Sequence, residues 1–141
     1  MPAAACPLCA ASGEQLLWQD ASLRIVDAAE ADYPGFCRVI WQAHVAELSD
    51  LDDASREHLL KVVLALERAV RRTMQPDKVN LASLGNQVPH LHWHVIPRFG
   101  DDRHFPASVW SAPLRDVSAD VLRARHQRAA ALATAIVAEL R

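Results

Sequence analysis

What this chain has little of narrows the field first. Neither sign of charge dominates, since 15 Lys and Arg against 17 Asp and Glu leave a formal net charge of -2. No run of Lys or Arg with interleaved aromatics offsets that balance, so the chain carries no electrostatic footprint for a nucleic acid polymer. No stretch approaches the roughly 18 consecutive apolar residues of a membrane span. The opening Met1-Pro2-Ala3-Ala4-Ala5-Cys6 lacks the basic segment and apolar stretch of a secretory signal. The expectation is a cytoplasmic protein with no membrane partner. Cysteine is scarce too: three residues, an odd number without an export signal, argue against a disulfide framework. Cys6 and Cys9 are then metal ligands, redox thiols or spare residues. Repeats, low-complexity linkers and breaks in composition are missing as well. Residues 1–141 therefore read as one domain, long enough to bury about two thirds of its unfolded surface without staples.

What is present is a concentration of imidazole. The stretch His90-Leu91-His92-Trp93-His94-Val95-Ile96 holds three of the seven histidines, alternating with apolar residues. Val, Ile and Trp favour extended structure, and successive side chains of a strand point to opposite faces. His90, His92 and His94 should then share one face while Leu91, Trp93 and Val95 face the core. Imidazole has an ordinary pKa of about 6.5, so each ring can act near neutral pH as nucleophile, acid or base, or metal ligand. Crowding three onto one face costs mutual repulsion in mild acid, so the arrangement needs a reason beyond packing.

Around this stretch the pattern predicts a mixed architecture. Leu16-Leu17-Trp18 and Leu23-Arg24-Ile25-Val26, separated by Asp20-Ala21-Ser22, read as a hairpin whose second strand ends at Asp27. Pro34-Gly35 marks a turn, and Phe36 to Trp41 restores strand character. From about Asp53 apolar residues fall at Leu59, Val63, Leu66, Val70 and Met74, opposite Glu57, Lys61, Arg68 and Arg72, which predicts a long amphipathic helix ended by Pro76. Residues 79–84 and 90–98 read as two further strands, and 118–140 as a C-terminal helix with Leu122, Ala129, Leu132, Ile136 and Leu140 on one face. Short connections favour an α+β fold, a mainly antiparallel sheet with helices packed on it.

The histidine stretch resembles the histidine triad (HIT) family, whose motif is three histidines alternating with hydrophobic residues and followed by two more. The similarity runs from Cys6-Pro7-Leu8-Cys9 through His44 and Asn80 to about Trp110; the C-terminal helix carries no matching motif. The resemblance implies a five-stranded antiparallel sheet with one long central helix. It also implies a nucleotidyl hydrolase or transferase that cleaves a dinucleoside polyphosphate or nucleoside phosphoramidate at the α-phosphorus. In that scheme His92 attacks phosphorus and carries the nucleotidyl group, its other nitrogen held by a backbone carbonyl of the same strand. His94 contacts the phosphate and the departing group, with His90 completing the triad. Asn80 is similar to the family's polar contact near the phosphate, and Asp27 to the acid that takes the ribose hydroxyls. Leu23 and Ile25 are core residues that could also wall a base pocket.

Two features depart from the common pattern. Gly85-Asn86-Gln87-Val88-Pro89 stands where many members have Gly-Gln followed by Ser or Thr, so Gln87 can donate to a phosphate oxygen but cannot serve as a hydroxyl proton donor. Asn80 stands one residue closer to the triad than in some relatives. Arg98 and Arg103 could reach phosphates or form surface ion pairs, and Trp110 could cover the cleft or pack at a subunit contact. By resemblance, Cys6, Cys9, His44 and His90 are the ligand set of a structural zinc, with no metal needed for the chemical step. A homodimer is expected on the same ground. The competing readings are a nucleotide-binding regulatory protein with little turnover and a hydrolase in which the triad itself holds a metal.

Overall fold

β-Branched and aromatic runs become strands wherever a turn signal bounds them. In the computed structural model, which describes residues 1–141, five do so: β1 (Gln15–Gln19), β2 (Leu23–Asp27), β3 (Cys37–Trp41), β4 (Lys78–Ala82) and β5 (His92–Arg98). They form one sheet in the order β1-β2-β3-β5-β4, every neighbouring pair antiparallel. A short helix α1 (Pro7–Ala10) precedes the sheet, and α2 (Asp53–Met74) connects β3 to β4. Two helices, α3 (Ala119–Ala129) and α4 (Leu132–Glu139), end the chain. No helix is long and apolar enough to cross a membrane.

The central helix starts and stops for local reasons. The Asp52 carboxylate accepts the Ser55 N–H at 2.8 Å, satisfying one of the free donors of the first turn. Gln75 takes the left-handed conformation just before Pro76, which cannot continue the helix. The predicted stripe of Leu59, Val63, Leu66, Val70 and Met74 is buried, joined by Val62 and Ala69. At roughly 1.5–3 kcal/mol for each large side chain, this stripe is what holds α2 to the sheet.

Alternation then divides the sheet into two faces. Leu23 and Ile25 of β2, Cys37, Val39 and Trp41 of β3, and Val95 of β5 enter the main core with α2 and α4. Leu23 and Ile25 are fully buried there, so they wall no base pocket. The residues between them, Arg38, Ile40, His92, His94, Ile96 and Arg98, lie on the opposite face. A small second cluster of Tyr33, Phe36 and Ile96 covers part of that face. Gly35, at φ +85°, makes the turn that delivers Phe36; a Cβ there would meet the Met74 side chain at 2.9 Å.

Two predicted elements need correction. The histidine strand begins at His92, because His90 N–H donates to the Val88 carbonyl in a turn and Leu91 N–H donates to Val45. The C-terminal helix is two helices. Ala130 and Ala131 donate to carbonyls only three residues back, tightening the chain so that Leu132 and Ile136 enter the core while α3 lies at its margin with no fully buried residue.

Candidate active site

The face opposite the core opens into a cavity of about 440 Å³ whose walls include Arg38, Asn86, Gln87, His92, His94 and Trp110. β5 supplies the two histidines, which are 8% and 7% exposed. In register, Ile40 of β3 lies opposite His92 and Arg38 opposite His94; Ala82 of β4 flanks His94 on its other side. The turn 85–88 closes the end near His92, and Trp110 stands edge-on to His94 with ring centroids 5.1 Å apart.

The histidines are fixed in distinct states. His92 Nδ1 lies 2.5 Å from the His90 carbonyl, so Nδ1 carries the proton and donates it. The proton-free Nε2 is then left with an available lone pair. Ser83 Oγ donates to the His92 carbonyl at 2.9 Å and steadies the same stretch of backbone. The two rings are nearly perpendicular, 4.9 Å between centroids. Burial, and then the charge of Arg38, pulls the His92 pKa down from its ordinary value, although the His90 carbonyl opposes this. Burial followed by His92 and Arg38 pulls His94 down to about 4. Both rings are neutral at pH 7. His94 Nδ1 is buried without a partner. An unpaired buried acceptor costs less than an unpaired N–H, which places its proton on Nε2.

His90 departs from the row. Its ring does not line the cavity; its Nε2–H donates to the Trp41 carbonyl at 2.6 Å, and its Nδ1 turns toward the N-terminal segment. There Cys6 Sγ lies 3.4 Å from His90 Nδ1, Cys9 Sγ 3.5 Å from the same atom and 3.3 Å from His44 Nδ1, and the two Nδ1 atoms are 3.3 Å apart. His44 Nε2 faces the Met1 carbonyl at 3.0 Å. With both Nε2–H groups spent on carbonyls, two Nδ1 lone pairs face each other, an arrangement a cation relieves. Zn–S and Zn–N bonds of about 2.3 and 2.0 Å in a tetrahedron put neighbouring ligand atoms roughly 3.3–3.8 Å apart, so the donor set and its spacing fit zinc. The three histidines expected in one row are divided: the rings of His92 and His94 line the cavity, and that of His90 faces Cys6, Cys9 and His44. What His90 gives the cavity is its backbone carbonyl.

Other expected residues fall outside. Asp27 ends β2 opposite Cys37, and its carboxylate takes the Ala29 N–H at 2.7 Å rather than facing the cavity. Asn80 is on the triad face, but its Oδ1 accepts from Arg98 Nη1 at 2.7 Å and it is not a cavity wall. Gln87 is one. Arg103 pairs with Asp32 at 3.2 Å on the surface. Arg98 is 2% exposed and grips Asp102, itself 1% exposed, through Nε to Oδ2 at 2.8 Å and Nη2 to Oδ1 at 3.1 Å. Asp102 also accepts the N–H groups of Phe99, His104 and Phe105 and the Tyr33 hydroxyl. This knot ties down the segment that carries Trp110. The sequence reading missed Arg38, Asp102 and Tyr33. A lone cation inside the apolar run of residues 36–41 was the available signal for the first; the other two have none short of the fold.

The chain is similar to known proteins in sequence and in fold. The HIT domain model matches residues 11–101. AP-4-A phosphorylase of Mycobacterium tuberculosis is 31% identical over 78 residues, 51% of this chain and 40% of that protein. Bis(5'-adenosyl)-triphosphatase of Saccharomyces cerevisiae is 33% identical over 60 residues, 39% of this chain and 29% of that protein. The chain thus spans less than half the length of either relative. A Zn-bound histidine triad family protein from Mycobacterium smegmatis has the same fold, with a TM-score of 0.69 and 21% identity over 97% of this chain and 96% of that one. A sheet with two buried imidazoles on its open face, a third turned to paired cysteines, and a match over residues 11–101 lead to one conclusion: the chain belongs to the HIT, or histidine triad, family.

Proposed function

We propose that the protein is a nucleotidyl hydrolase or transferase acting at the α-phosphorus of a dinucleoside polyphosphate or a nucleoside phosphoramidate. The observation that carries this reading is the 2.5 Å contact from His92 Nδ1 to the His90 carbonyl. It fixes the tautomer, so that a neutral imidazole offers its Nε2 lone pair inside a cavity of nucleotide size. Nε2 attacks phosphorus, and the bond from phosphorus to the bridging oxygen or nitrogen breaks, with the electron pair leaving on that atom. His94, carrying its proton on Nε2, donates a hydrogen bond to the developing charge, and the Gln87 amide donates to a phosphate oxygen. Water then attacks the same phosphorus and gives up one proton to the solvent, the P–N bond breaks with its electron pair returning to His92 Nε2, and the nucleoside monophosphate departs. Splitting one displacement into two lowers each barrier. The names of the two enzyme relatives, a phosphorylase and a triphosphatase of adenosine dinucleotides, support this substrate class.

His92→Ala should lower turnover of diadenosine polyphosphate by on the order of a thousandfold or more while leaving nucleotide binding in place. Rapid quench and mass spectrometry should find the nucleotidyl group on His92 of the wild type. Full turnover by the variant overturns the mechanism. Tight nucleotide binding with no turnover by the wild type would make the protein a regulatory binder instead.

A structural zinc on Cys6, Cys9, His44 and His90 belongs to the same proposal. Its chemistry would be that of a closed four-ligand clamp, holding the N-terminal segment to the turn before β5 and taking no part in the reaction. A homodimer is also proposed. Leu60 and Leu64 of α2 and Leu81 on the edge strand β4 are 43%, 46% and 46% exposed, and burying them against a second copy would remove that apolar area from water. Sedimentation at micromolar concentration should give twice the 15.6 kDa chain mass, and a monomer would refute it.

A further inference from the structure

Arg38 is the one wall of the cavity that bears a full charge at neutral pH. It lies half-buried at the second position of β3, opposite His94 on one side and the buried Val26 on the other. Unlike Arg24, Arg98 and Arg125, each of which rests on a carboxylate, Arg38 makes no ion pair and no hydrogen bond. Its position is nevertheless defined. The guanidinium stands 5.6 Å from the centroid of the Phe36 ring, and that ring meets His94 edge-on at 5.7 Å. Phe36 is 3% exposed and packed in the second core cluster, so the aromatic support does not move.

Desolvating part of a guanidinium without an anion beside it is unfavourable, and a stack on one phenyl ring returns only part of the loss. A residue chosen for packing in this central strand would be apolar, as Val39 and Ile40 are. A planar cation with all of its donors free, beside a neutral imidazole and facing a cavity, has the form of an anion receptor. The guanidinium fork matches two phosphate oxygens at once, which an ammonium cannot do.

We propose that Arg38 is a substrate-binding residue that receives phosphate oxygens of the ligand in the His92–His94 cavity, making this a site that selects phosphorylated nucleosides over nucleosides. The inference rests on the nucleotide reading above for the identity of the ligand, but the anion site can be tested without a nucleoside. Arg38 takes the charge; Gln87, from the turn, supplies a neutral donor on the same cavity.

The test is calorimetric titration of wild type, Arg38→Leu and Arg38→Lys with three probes: adenosine, adenosine monophosphate and inorganic tripolyphosphate. Melting curves of the free variants verify folding, and Arg38→Lys, which keeps the charge and length, serves if the leucine variant does not fold. Arg38→Leu should weaken the monophosphate and tripolyphosphate by about 10- to 100-fold and leave adenosine within about twofold. Arg38→Lys should recover part of the loss. The proposal is overturned if the leucine variant binds the monophosphate as wild type does, if adenosine weakens by the same factor, or if wild type does not bind tripolyphosphate. Wild-type binding of tripolyphosphate but not of the monophosphate, lost in Arg38→Leu, upholds the anion site and refutes the nucleotide reading, so the two failures are separable.

Discussion

Two fastenings hold irregular chain against the sheet on either side of the cavity, and they are built in opposite ways. The Arg98–Asp102 knot is almost wholly buried and closes on itself: every oxygen of the carboxylate is used by the guanidinium, three backbone N–H groups or the Tyr33 hydroxyl. The Cys6–Cys9–His44–His90 cluster is buried at one corner, exposed at another, and brings four ligand atoms within 4.8 Å of one another with two lone pairs face to face. One is complete as folded; the other, held as it stands by Cys–His contacts of 3.3–3.5 Å, is the one we propose a zinc ion completes. The lesson is that the segment carrying Trp110 is fastened by the chain alone, whereas under the proposed zinc clamp the segment carrying Leu8 would be fastened with help from outside.

Removing one partner from the complete fastening gives the largest expected effect. Asp102→Ala leaves the Arg98 guanidinium buried and uncompensated, which should cost about 3–5 kcal/mol and lower the melting temperature by roughly 10–15 °C. Acid should do the same by protonation. Burial alone would raise the Asp102 pKa, but Arg98 and the N–H groups of Phe99, His104 and Phe105 outweigh it and hold the carboxyl well below the usual carboxylate range. A group depressed in this way stabilises the fold fully above its unfolded pKa of about 3.9, and the contribution drains away as the pH falls toward the folded value. The melting temperature of wild type should therefore fall steeply below about pH 4. Asp102→Asn should start lower at pH 7 and show a shallower acid limb; parallel limbs would remove Asp102 from the account.

The other fastening should respond to metal, which Asp102 does not. Stripping with a chelator and restoring zinc to about a hundred times its dissociation constant should raise stability by about 2.7 kcal/mol in wild type. In Cys6→Ser the same addition should do far less. Asp102→Ala should keep the zinc response in full. A wild type that purifies with less than about half an equivalent of metal and melts identically with and without zinc would make the cluster a set of ordinary hydrogen bonds.

What could be read in the sequence followed from local period. The alternation at 91–95 places Leu91 and Val95 in the core and His92 and His94 opposite, and the three-and-four spacing after Asp53 places α2 within a residue of its observed bounds. Cys6 and Cys9 were visible as a pair. What period could not reveal was the end of the histidine strand, since Leu91 N–H bonds to Val45, 46 positions away. The resemblance puts Asn80 near the phosphate and Asp27 near the ribose; that Asn80 accepts from Arg98 and that Asp27 takes the Ala29 N–H is visible only in the fold. Arg38 stands plainly in the sequence, but a cation in a strand acquires meaning only from the register that sets it opposite His94.

The smallest expected effect is also the sharpest test of whether the two fastenings are separate. Tyr33 places its hydroxyl 3.1 Å from Asp102 Oδ1 and 2.6 Å from His104 Nδ1. The single proton goes to the carboxylate and the His104 Nδ1–H donates to the phenolic oxygen. Tyr33→Phe removes one of several bonds to Asp102 and leaves the Arg98 pair intact, so it should cost about 1 kcal/mol. Cys9→Ser weakens the other fastening without touching any of these atoms. Because the two share no partner, their costs should add within about 0.5 kcal/mol in the double variant. An interaction energy of 1 kcal/mol or more would mean that the turn before β5 and the segment after it are set as one unit through the strand between them. His92 and His94 would then be positioned from both ends of that strand together.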